Sequence, residues 1–197
     1  MNILPHLPFK PVEQFTFQVT RIYAGWMEII LSDNEKSFKY SASYLTDPLE
    51  DILFCTVLLL NKQPVHVRAN WFLKEGAVIM HDLEGDIVVW LLHHSNDVFS
   101  VLTWFNIDPF VLESLCDDNF DMVAYNRKRV YLEDLPDLST NLLFAFCGSP
   151  IHFAQTLKAT LNHVTKTFIV EEDESDWGIR YSIEDYNALC NWIAENK

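Results

Sequence analysis

Phe15, Phe17 and Val19 alternate with Thr16, Gln18 and Thr20. An apolar side chain at every second position marks a strand with one buried face. Gly25 punctuates, and Trp26 to Leu31 forms a second apolar run. Ser32, Asp33, Asn34 and Glu35 have the composition of a turn. Phe38, Tyr40, Ala42 and Tyr44 then alternate with Lys39, Ser41 and Ser43, which predicts a third strand.

The pattern changes at Asp47. Asp47 can cap a helix, Pro48 suits its first turn, and Glu50 stands where a capping box places its acid. From Leu49 to Leu60 the segment is apolar on nearly every side, which predicts a buried helix that Asn61 and Pro64 end. Alternation resumes with Val65, Val67, Ala69, Trp71 and Leu73. Gly76 leads into Ala77 to His81, Gly85 into Ile87 to Leu92, and Ser95-Asn96-Asp97 into Val98 to Phe105. Short loops between such runs predict an antiparallel meander, with Ile87 to Leu92 as a central strand.

Periodicity weakens from Asn106 to Asn141, where prolines, an acidic stretch at Cys116 to Asn119 and the basic triplet Arg127-Lys128-Arg129 suggest irregular structure. Leu142 to Cys147 reads as a last strand. Ser149-Pro150 starts a helix with Ile151, Ala154, Leu157, Leu161, Val164 and Phe168 on one face. Ser182 with Asp185 forms a capping box for a final helix, whose inward face is read as Ile183, Tyr186, Leu189, Cys190 and Ile193. The expectation is a single α+β domain over 1–197. A mostly antiparallel sheet of about seven strands packs against a buried helix and two C-terminal helices.

Composition sharpens this picture in two respects. Hydrophobic residues make up 49% of the 197, enough for a substantial core. No apolar run reaches the roughly 18 residues of a membrane-spanning helix, and the start of the chain lacks the basic-then-apolar pattern of a secretory leader. The expected location is the cytosol, without membrane association. Lys and Arg total 14 against 28 Asp and Glu, a net charge of −14. That excess disfavours nucleic acid, which needs a basic footprint, and favours a basic protein partner.

Candidate chemistry is sparse. Cys55, Cys116, Cys147 and Cys190 form no CxxC pair and sit among apolar neighbours, as buried cysteines do. His93 and His94 are adjacent on a strand and point to opposite faces. His152 and His163 are too far apart on one helix to share an ion, and His66 and His81 lie on neighbouring predicted strands. No metal site or cofactor is expected. Asp82, Glu84 and Asp86 around Gly85 read as a solvated hairpin turn rather than a cation loop. Cys147, at a helix start with His152 close behind, is the best enzymatic feature, and a small hydrolase or thiol enzyme is the alternative reading. Five glycines and no phosphate-cradle or metalloprotease motif leave little else. The most distinctive surface feature is the tract Glu171, Glu172, Asp173, Glu174, Ser175, Asp176, with Trp177 beside it as a potential aromatic anchor.

The run from Tyr40 to Asp47, followed by Leu49-Glu50-Asp51-Ile52-Leu53, resembles the SASYLSD-x-L-x-DLL signature of a family of small uncharacterised bacterial proteins. That family's later landmarks are matched in order by Val67 with Trp71, by Lys74-Glu75-Gly76, by Leu102 to Phe105 and by the segments 149–168 and 177–192; its Glu-Pro-Gly turn is absent. The family resembles immunity proteins of polymorphic toxin systems. The resemblance implies an inhibitor that binds a toxin, with a basic toxin domain as the expected partner, and it carries no catalytic residues. With the charge, it points to a protein-binding module. The expected mode is occlusion through an acidic surface, and Glu171, Glu172, Asp173, Glu174, Asp176 and Trp177 are the candidate contact residues.

Overall fold

The fold is described from a computed structural model, over residues 12–23, 25–33, 35–43, 47–63, 71–73, 76–95, 97–106, 141–168 and 181–196. It is α+β. The elements run β1 (Thr16–Tyr23), β2 (Trp26–Ser32), β3 (Ser37–Ser43), α1 (Pro48–Leu60), β4 (Trp71–Leu73), β5 (Gly76–Asp82), β6 (Ile87–Ser95), β7 (Val98–Phe105), β8 (Leu142–Gly148), α2 (Pro150–Phe168) and α3 (Ile183–Glu195). In place of one sheet of about seven strands, the strands form two antiparallel sheets, of three (β1-β2-β3) and five (β4-β5-β6-β7-β8). The division falls at α1, which takes the chain out of the first sheet before β4 begins. From Trp71 on the meander is as expected, the Val65 to Asn70 part of its first predicted strand lying outside the described residues, and β6 is the middle strand of the second sheet.

The registers explain the alternation. Ile29 stands opposite both Val19 and Tyr40, and Trp90 opposite Ile79 and Thr103. A bulge between Val19 and Arg21 moves the buried phase of β1 from Phe15, Phe17 and Val19 to Ile22. In the five-stranded sheet both faces are buried. Ala77, Ile79, Trp90, Leu92, Phe99 and Val101 join the main core, while Val78, Val89, Leu91, Leu102 and Trp104 on the opposite phase are equally inaccessible. Such strands read as near-continuous apolar runs instead of alternating ones.

Ahead of β1, Val12 pairs in parallel with Phe146, exchanging hydrogen bonds with Ala145 and Cys147 across 2.9 Å. The chain then enters the other sheet within a few residues, which ties the two sheets together. Gly148 permits that approach: a Cβ there would stand 2.9 Å from the Phe146 ring and 3.0 Å from the Glu13 carbonyl.

α1 is buried nearly all round, from Leu49 and Ile52 to Leu60. Its expected capping box does not form. Asp47 makes no side-chain cap bond; the Glu50 carboxylate instead accepts the Ser182 backbone N–H at 2.6 Å, fastening α1 to the start of α3. Ser182 caps α3 as expected, its hydroxyl accepting from the Asp185 N–H at 3.2 Å. Two helix faces need correction. α2 buries Phe153 and Thr160 in addition to Ala154, Leu157, Leu161 and Val164. α3 buries Leu189 and Ile193 but leaves Ile183 73% exposed, although the neighbouring Ser182 N–H is bonded to Glu50 of α1. Among the described residues no helix is long and apolar enough to cross a membrane.

Candidate functional site

Two polar arrangements stand out against the apolar core. The first lies where the two sheets meet. Tyr40 on β3, His81 on β5 and Trp90 on β6 bring their polar atoms together in full burial. The Trp90 indole N–H donates to the Tyr40 hydroxyl at 2.9 Å, and that hydroxyl stands 2.7 Å from Nδ1 of His81. With the indole donating to the oxygen, the phenolic proton is directed at Nδ1, so the imidazole is neutral with its proton on Nε2. Burial lowers the His81 pKa from 6.5 to about 3. Burial also raises Tyr40 well above 10.0, with the Trp90 bond opposing it. Both groups are therefore uncharged at neutral pH, and the triad bonds the sheets without a buried ion. The rings of Phe17 and Phe38 pack on Trp90 and Tyr40 with centroids 5.5 Å away.

The second arrangement is a cleft of about 450 Å³ between β1 and α2. That volume lies in the range of small ligand sites. Phe15, Thr16, Phe17 and Gln18 form one wall and Thr156, Ala159, Thr160 and His163 the other. The helical positions recur every three or four residues, as one stripe of a helix must. Among the described residues β1 ends the order of its sheet, and α2 lies along it. Thr160, itself buried, donates its hydroxyl to the Phe17 carbonyl and also stands 3.1 Å from the Thr156 carbonyl. Thr16 shares a hydrogen bond of 2.5 Å with Ser32 on β2, and His163 Nδ1 lies 3.3 Å from the Thr167 hydroxyl. The cleft thus presents hydroxyls, an amide and an imidazole over an aromatic floor.

The residues singled out from sequence are distributed differently. The tract Glu171, Glu172, Asp173, Glu174, Asp176 and Trp177 lies outside the described residues, as do Cys116 and His66. Cys147 and His152 are both half-buried. The His152 ring packs against Phe15 and Phe146, with centroids at 6.4 and 6.0 Å. Cys147, next to Phe146 on β8, points to the other face of the sheet. His94 Nδ1 bonds the Leu59 carbonyl at 2.8 Å, closing the end of α1. Asp82, Glu84 and Asp86 do form a hairpin turn. Asp82 accepts from the Glu84 N–H at 2.5 Å, Glu84 takes φ 56, and Asn106 donates to Asp86 at 2.6 Å. Among the described residues no group of three or more His, Cys, Asp or Glu could hold a metal ion.

Neither the seam nor the cleft was anticipated from sequence. His81 and Tyr40 each read as one more member of an alternating strand. The Phe15–Gln18 and Thr156–His163 segments read as strand and helix, with nothing to show that they face each other. One signal was present: Thr160 falls inside the apolar stripe of α2, where a polar residue needs a partner. Compared with protein-family models, with curated proteins and with solved structures, the chain matches none of them.

Proposed function

We propose that this chain is a protein-binding module, an immunity-like inhibitor that neutralises a bacterial toxin by covering a basic surface of it. The observation that carries the reading is the charge: 28 acidic against 14 basic residues. Several of these acids are set on turns. Glu35, Glu84, Asp86 and Asp97 are exposed at the hairpin connections of both sheets. Fields of one sign raise association rates with an oppositely charged partner and suppress wrong ones. Three inner polar side chains hold the fold: His81 bonds Tyr40, His94 the end of α1, and Glu50 the start of α3. In this reading the chain performs no chemistry of its own. Glu171, Glu172, Asp173, Glu174 and Asp176 supply the recognition charge and Trp177 the anchor.

Affinity purification of the tagged full chain from its native host tests this. The expected result is one stoichiometric partner of basic charge, whose affinity falls steeply with added salt. It should fall further when the five acids are changed together to Gln or Asn, and again for Trp177→Ala. A partner of acidic charge, or binding indifferent to both salt and these substitutions, refutes the proposal.

A further inference from the structure

We draw no further inference here: the strongest candidate, the cleft of about 450 Å³ between β1 and α2, has no Asp, Glu, Lys or Arg in its lining and spends the buried Thr160 hydroxyl on the Phe17 carbonyl, so nothing in the structure shows what covers it.

Discussion

The seam between the sheets and the cleft beside β1 are built from similar materials, an aromatic surface with a histidine and a few hydroxyl or amide groups, yet they are put to opposite uses. In the seam, Tyr40, His81 and Trp90 are shut away from water: Trp90 bonds Tyr40 and Tyr40 bonds His81 Nδ1, while His81 Nε2 has no partner among the described residues. In the cleft, Gln18 and His163 are exposed, and Thr160 alone is committed to the backbone of β1. The difference lies in burial rather than residue type. A polar group inside must be satisfied by the fold, whereas one at the rim can be satisfied by whatever arrives. The seam is accordingly where substitutions should cost the most stability, and the exposed positions of the cleft where they should cost the least.

The largest effect is expected for Trp90→Ala. It removes a fully buried indole from the junction of the sheets and leaves the Tyr40 hydroxyl without its donor. Losses for buried Trp or Phe truncation run at about 3–5 kcal/mol, to be read from urea or guanidinium unfolding. Trp90→Phe keeps most of the volume and should cost only about 1–3 kcal/mol, the penalty of the abandoned hydrogen bond. A Trp90→Phe variant as stable as the wild type would mean that the triad contributes packing alone.

Acid should reach the seam next. The folded His81 pKa of about 3 lies below the 6.5 of an unperturbed histidine. The core accepts the neutral ring, and the unfolded chain takes up a proton that the folded chain refuses. The stabilisation is therefore complete above pH 6.5 and is lost progressively as the pH falls toward 3. The slope from this residue is at most about 1.4 kcal/mol per pH unit. Unfolding midpoints followed across that window should fall more steeply for the wild type than for His81→Gln, which has no proton to gain. Parallel curves would mean that the imidazole is not held neutral by burial.

Thr160→Val carries the comparison to the border between the regions. The substitution keeps the shape of the side chain and deletes the hydroxyl that reaches the Phe17 carbonyl. In the sealed core such a loss would run toward 3 kcal/mol, but beside an open cleft water can reach the carbonyl, so about 1 kcal/mol is expected. Thermal unfolding with far-UV detection would show it, and a cost as large as that of Trp90→Ala would mean that the cleft is closed to water.

How much of this was legible in the sequence follows from the same distinction. Local pattern set the elements: alternation located β1 and β3, Pro48 and Asn61 bracket α1, and Ser182 starts α3 with its predicted cap. What pattern could not express was which elements meet. The Asp47–Glu50 pair has the spacing of a capping box, yet Glu50 is drawn away to Ser182, 132 positions distant. Likewise the apolar spacing of α3 nominated Ile183, which the packing leaves outside. The division into two sheets, the Tyr40–His81–Trp90 contact and the cleft are all long-range pairings, set by tertiary geometry. The caps give a direct check. Ser182→Ala should cost about 1 kcal/mol, within the usual range for a lost cap. Asp47→Ala, with no side-chain bond to lose, should stay within about 0.5 kcal/mol. Equal costs would show that Asp47 caps in solution.

The smallest effect on stability is expected in the cleft itself. Gln18 is exposed on β1 and lines the space facing α2. Gln18→Ala removes an amide already in contact with water, so the folded and unfolded chains lose nearly the same hydration. A change within about 0.5 kcal/mol follows. A stability loss well above that figure would place Gln18 with Tyr40 and His81, and the cleft would then be another part of the packed interior.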